Sequence, residues 1–444
     1  MTDNNKKRLL VSRAGVSYVL PFVLITTCFA LWGFANDVTN PMVKAFSKIF
    51  RMSVTDGTLV QVAFYGGYFC MALPAALFIR RHSYKSGILM GLLLYAIGSL
   101  AFIPASRMGT FPPFLIAYFV LTCGLSFLET SANPFVLRMG DADTATRRLN
   151  LAQSFNPIGS LAGMFVAMSL VQARLSPLDT AHRATLDDAA FETLKQADLH
   201  VLIQPYVYIG IVLVALLVLW LAVRIPAVQQ PAGQRRHQPV LPAFGRLLAN
   251  ATYRRGVVAQ FFYVGAQITC WTFIIQYGTR VFMDEGMGEQ AAEVLSQRMN
   301  IIAMVAFCAM RFVNMYLMKY FKPQRLMAFF AMLSMALLCV TIFVGGRPGV
   351  CCLVAVSACM SLMFPTIYGL ALGDVEQDTE IGSAGLIMAI LGGSLLPAVQ
   401  AMIIDSHVAF IPSVNLSFVV PMVCFAVVLL YALSVKDGDK ASRC

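Results

Sequence analysis

Twelve runs of about 20 mostly apolar residues, set apart by short polar stretches, leave this chain few ways to fold. At 1.5 Å of rise per residue, a helix of that length crosses the ~30 Å hydrocarbon core of a bilayer. The runs predict spans over residues 18–43, 58–79, 87–104, 113–137, 149–171, 201–223, 256–282, 301–319, 325–344, 350–372, 382–404 and 411–433. The expected fold class is therefore an all-α membrane protein with twelve transmembrane helices. Charged residues make up 12% of the chain, about half the ~25% of a soluble domain. The basic start (Lys6, Lys7, Arg8, Arg13) precedes a long apolar run with no small-residue cleavage site, which reads as an uncleaved first span.

The net charge of +11 raises the question of nucleic acid, and the placement of the bases answers it. The termini and even-numbered loops carry twenty-two lysines and arginines, the odd-numbered loops carry ten, and Arg311 falls inside a span. The positive-inside rule then puts both termini in the cytoplasm of a multi-pass protein of the cell (inner) membrane, with the bilayer and not nucleic acid as its surroundings. The 11 cysteines sit mostly within apolar spans and form no CxxC pair, so they read as small buried hydrophobes. No metal-ligand spacing and no nucleophile–base pair appears, so neither an enzyme nor a bound cofactor is expected. Residues 226–250 begin with a run rich in Pro, Gln and Arg, PAVQQPAGQRRHQP, and read as a cytoplasmic linker. It divides the chain into six-span halves at 1–225 and 251–444.

Polar side chains inside the spans narrow the function. An ionisable residue there costs at least ~2.5 kcal/mol, which makes it a functional candidate by default. Asp37 lies near the end of the first span, close to Asn40-Pro41. It is either a helix-end carboxylate in water or a water-accessible carboxyl that can take a proton as desolvation disfavours its charge. Glu129 and Asn133 are four apart and share one helix face. Arg138 is nine residues beyond Glu129, about 13 Å of rise, too far for direct pairing along one helix. Asn150, Gln153 and Asn156 recur every three residues along one stripe of the next span, either for a ligand or for interhelical hydrogen bonds. In the second half, Gln260, Gln267 and Trp271 repeat the polar-plus-tryptophan character that Trp32 and Asp37 give the first span. Each tryptophan is a candidate stacking surface for the C–H face of a sugar, or a packing residue. Arg311 needs a partner or a route to the surface. The loop with Asp374, Glu376, Asp378 and Glu380 is either a solvated acidic segment or a latch to basic loops. Residues 185–195 have helical, amphipathic character suited to the membrane surface.

The halves echo one another weakly: a kinking proline in spans 4 and 10, and glycine-rich spans 5 and 11. That pattern matches the two-half architecture of the major facilitator superfamily, whose site lies at the midplane. More specifically, the chain resembles the fucose–proton symporter family of that superfamily. The motifs are FALWGFANDVTNPMV, QVAFYGGYFCMALPAALFIRRHSYKSGI, FLETSANPFVLRMG, RRLNLAQSFNPIGSLAG and AQFFYVGAQITCWTF. The resemblance implies import of a hexose-type sugar, L-fucose being the archetype, with the proton as coupling ion and no other cofactor. It implies proton binding at a span 1 carboxylate, for which Asp37 is the one candidate in the motif. It implies that Glu129 recognises sugar hydroxyls and takes part in alternating access, and that Gln153 and Asn156 contact the sugar. By residue chemistry, Asn133, Gln267, Trp32 and Trp271 join the expected binding set. The family's carboxylate falls where this chain has Asn40, and Phe364 stands where a tyrosine is expected. The same fold carrying glucose, galactose or an amino sugar therefore stays open, as does a membrane sugar receptor. The protein is expected to act as a monomer.

Overall fold

A computed structural model describes residues 10, 17–39, 45, 46, 49–52, 59–141, 144–172, 174–176, 183, 185–223, 240–373, 375, 378–405 and 412–435. Both termini, Asn40-Pro41, residues 226–239 of the expected linker, and Asp374 and Glu376 of the acidic loop lie outside them. Among the described residues, twelve helices are long and apolar enough to cross a membrane. The chain groups into two compact units: residues 1–142 with 155–237, and residues 143–154 with 238–444.

The first unit contains α1 (Val19–Thr39), α2 (Leu59–Arg81), α3 (Tyr84–Leu100), α4 (Phe102–Met108) and α5 (Pro112–Arg138). After the excursion of α6 (Ala145–Gln153) into the second unit, α7 (Asn156–Val166) and α8 (Asp188–Ala222) complete it. Glycine sets how closely two of these helices approach. A Cβ on Gly159 of α7 would run into the carbonyl oxygen of Ala30, and one on Gly33 of α1 into that of Asn156. Both obstacles are backbone, so nothing flexible can yield. Gly159→Val is therefore expected to lower stability by about 3 kcal/mol or more, read as an earlier melting transition in detergent. Gly245, whose Cβ would meet nothing within 4 Å, is the control. As an interior helical glycine, its change to alanine is neutral or stabilising by up to ~1 kcal/mol.

Aromatic packing joins α4, α5 and α8. Phe102 stacks on Tyr206 with centroids 4.0 Å apart, and the Tyr118 and Tyr206 hydroxyls share a 2.6 Å hydrogen bond. Helix α8 also corrects a sequence expectation. Residues 188–195 are not a separate surface helix but the first turns of the sixth span, which runs unbroken to Ala222. No glycine interrupts that stretch before Gly210, and its proline, Pro205, is accommodated inside the helix. A buried pair ties Arg183 and Ser176 to this helix: Asp198 accepts from the Arg183 guanidinium and from the Ser176 N–H at 2.9 Å.

The second unit contains α6 and the helices from α9 onward: α9 (Val240–Ala249), α10 (Ala251–Asp284), α11 (Glu289–Leu317) and α12 (Pro323–Cys339). It continues with α13 (Gly346–Met360), α14 (Met363–Gly373), α15 (Thr379–Met388), α16 (Gly392–Asp405), α17 (Ser413–Leu416) and α18 (Val419–Ser434). Residues 240–249 of the expected linker thus form α9, separated from α10 by Asn250 alone. The Asn250 side chain caps α10 by accepting from the Tyr253 N–H at 3.0 Å. Asp378 of the acidic loop is tied to α9, its carboxylate accepting two 2.8 Å bonds from Arg246.

Candidate functional site

The amide stripe expected along span 5 does not survive as one stripe. The helix stops at Gln153 and restarts at Asn156. Pro157 supplies the reason, since it has no N–H to offer the carbonyl four residues back, which is that of Gln153. The freed carbonyl takes a 2.7 Å hydrogen bond from the Arg311 guanidinium on α11. Asn150 spends its amide on the Thr146 carbonyl (3.0 Å) and on Thr366 Oγ1 (3.3 Å) within the second unit. Asn156, in the first unit, donates to the Phe29 carbonyl at 3.3 Å and so helps to seat α7 on α1.

Among the described residues, a cluster of unfilled polar valences lies in the first unit. Glu129, two-thirds of the way along α5, is 0% exposed, and neither carboxylate oxygen has a hydrogen-bond partner among the described residues. It lies within electrostatic reach of the hydroxyl of Tyr68 on α2, which neighbours the indole N–H of Trp32 on α1. Both of those groups are also buried without a partner in hydrogen-bonding geometry. Three helices thus converge on two acceptors, one hydroxyl and one N–H donor, all unsatisfied. Each such group costs on the order of 1–3 kcal/mol when left unmade, so the cluster calls for a functional account. Asp37 lies in the last turn of α1, half-buried and within electrostatic reach of Tyr65, one turn before Tyr68 on α2. Tyr65 and Tyr68 are three residues apart on α2. Asp37, Tyr65, Tyr68 and Glu129 therefore form a string of ionisable groups over three helices. Asn133, one turn beyond Glu129, is fully buried.

The second unit holds its own polar and aromatic group. Arg311 is 5% exposed and lies with its guanidinium carbon 4.8 Å from the Phe307 ring centroid. It therefore does not snorkel to the surface. Trp271 packs edge-on with Phe307, their ring centroids 5.0 Å apart, and donates its N–H to Ser357 Oγ at 3.2 Å. Gln267, one turn before Trp271 on α10, is half-buried. Gln260 is wholly buried with neither amide atom bonded. Phe364 is 8% exposed, its ring 6.4 Å from that of Tyr263.

The structure thus brings Trp32, Glu129 and, through Tyr65, Asp37 together, and puts Gln267 and Trp271 on one helix. It assigns Gln153 and Asn156 to different units. Sequence reasoning missed Tyr68 and Phe307. Tyr68 had a signal, because it lies three residues beyond Tyr65 on the same helix face. Phe307 had none beyond its four-residue spacing from Arg311.

Residues 23–397 match the family model of the Major Facilitator Superfamily. A relative from Haemophilus influenzae named L-fucose-proton symporter is 47% identical over 93% of this chain and 96% of its own length. Another of that name from Escherichia coli is 34% identical over 94% of this chain and 93% of its own. The crystal structure of the E. coli fucose:proton symporter superposes with a TM-score of 0.85 at 30% identity, covering 95% of this chain and 100% of that one. The fold is that of a polytopic transporter, and the chain belongs to the Major Facilitator Superfamily and, within it, to the family of fucose–proton symporters. It is accordingly a multi-pass membrane protein and a transporter, not an enzyme.

Proposed function

We propose that this protein imports L-fucose by proton symport through alternating access, as a monomer with both termini in the cytoplasm. The observation that carries the reading is Glu129, a carboxylate wholly buried in a membrane span with both oxygens unbonded. Carboxylate oxygens accept from sugar hydroxyls, while an indole N–H donates and a tyrosine hydroxyl does both. Glu129, Trp32 and Tyr68 therefore offer the mixed donors and acceptors that a polyhydroxylated, uncharged ligand needs. Asn133, Gln153, Asn156, Gln267 and Trp271 complete the proposed binding set, the amides through hydrogen bonds and the indole through stacking. Asp37 is the proposed proton carrier. Protonated from outside, it loses its charge so that the loaded carrier can close, and it releases the proton at the higher pH of the cytoplasm. The sequence relationship to two proteins named as L-fucose–proton symporters supports the choice of sugar.

Phe364 favours one second reading, transport of a different hexose. A phenyl ring has no hydroxyl to meet a sugar oxygen, which changes the oxygen pattern a substrate must present. Counterflow of labelled L-fucose in proteoliposomes, challenged with unlabelled L-fucose, glucose, galactose and glucosamine, decides between them. Dominant competition by L-fucose supports the first reading, and dominant competition by another sugar replaces it.

Arg311 acts in this account as a positioning residue that holds the broken segment of span 5 through the Gln153 carbonyl. Arg311→Gln removes a charge-assisted hydrogen bond but also the cost of a desolvated cation, so the melting temperature changes little. Counterflow is expected to fall roughly tenfold. Arg311→Lys, which can still reach a single carbonyl, retains more activity than Arg311→Gln.

A further inference from the structure

Where α10 begins and α18 ends, the second unit carries a groove of about 520 Å³ lined by Arg254, Arg255, Val258, Val427, Leu430, Tyr431 and Ser434. It shares no residue with the polar clusters above. Arg254 and Arg255 are both exposed, and among the described residues neither guanidinium makes a hydrogen bond, an ion pair or a stacking contact. Arg246, only eight residues earlier, is neutralised by Asp378, which sets this unpaired couple apart.

The groove changes character along its length. The arginines occupy the first turn and a half of α10, and Ser434 is the last residue of α18. This end is therefore the end of two spans, at headgroup level. One turn deeper the walls are Val258, 49% exposed, and Leu430, 67% exposed, with Val427 behind them. Two unpaired cations above an apolar wall match a ligand with an anionic head and a hydrocarbon tail. Free phosphate would use the head and leave the wall bare. The preceding helix points to the same level. Leu241, Phe244 and Leu248 of α9 are exposed, whereas Ala243 and Leu247 are buried. A ten-residue helix is too short to span, and such a face is suited to the boundary between headgroups and acyl chains.

We propose that this groove binds an anionic phospholipid, with its phosphate between Arg254 and Arg255 and an acyl chain along Val258, Val427 and Leu430. The site rests on the chain being a membrane protein and is independent of which sugar it carries.

Native mass spectrometry of the full-length protein, purified with equimolar phosphatidylglycerol and phosphatidylcholine, tests this. Wild type is expected to retain phosphatidylglycerol in preference. Arg254→Gln combined with Arg255→Gln should reduce that preference roughly 10- to 30-fold, given the contribution of each base near an anionic surface. The double lysine variant should keep it. Leu430→Trp, which fills the apolar wall and keeps both arginines, should also reduce retention, and it decides the matter if the glutamine variant does not fold. Inorganic phosphate at millimolar concentration should not displace the lipid. Equal retention of the two lipids by wild type, unchanged preference in the glutamine and tryptophan variants, or full displacement by phosphate would overturn the proposal.

Discussion

Glu129→Gln is expected to lower the apparent affinity for L-fucose in counterflow roughly 10- to 100-fold, the worth of one charge-assisted hydrogen bond of about 1.5–3 kcal/mol. The substitution preserves shape and removes the charge, so the loss reports chemistry and not packing. The companion variant Glu129→Leu should abolish transport yet raise the melting temperature. It removes a fully buried carboxylate whose oxygens have no partner in the resting protein, and burial without partners is destabilising. Opposite signs for activity and stability are the mark of a group retained for function. A parallel fall of both would make Glu129 a structural residue and remove the main support for the proposed sugar site.

Asp37→Asn is expected to separate the two halves of symport. Asparagine cannot pick up and release a proton, so accumulation against a gradient should disappear. Counterflow needs no net proton movement and should persist. The sequence resemblance puts the family's carboxylate at Asn40, three residues further along the chain, so Asn40→Asp on the Asp37→Asn background is expected to recover part of the accumulation. If Asp37→Asn accumulates sugar like wild type, proton coupling belongs elsewhere, and Glu129 is the next group to examine.

The spans were legible because a bilayer imposes a length and an apolarity that few other environments demand. Glu129 and Asp37 were legible for a related reason: a carboxylate in such a run is costly enough to stand out. Tertiary structure alone decided which neighbours these groups have. The string from Asp37 through Tyr65 and Tyr68 to Glu129 crosses three helices, and periodicity within one helix cannot reveal it. The amide stripe illustrates a different limit. Its three-residue spacing presumed a continuous helix, and Pro157 ends that continuity by withholding a donor from Gln153. The same break explains Arg311, whose partner is a backbone carbonyl, invisible to any search for opposite charges. Residues 188–195 were legible as helix but not as the beginning of a 35-residue helix, because their polar surface resembles that of an interfacial segment.

Uptake of labelled L-fucose into liposomes holding the purified protein, with and without an imposed inward proton gradient, tests the central claim most directly. The account predicts accumulation above the external concentration only when the gradient is present, and its collapse when a protonophore is added. Equal uptake with and without the gradient, or no uptake of L-fucose in either condition, would contradict it.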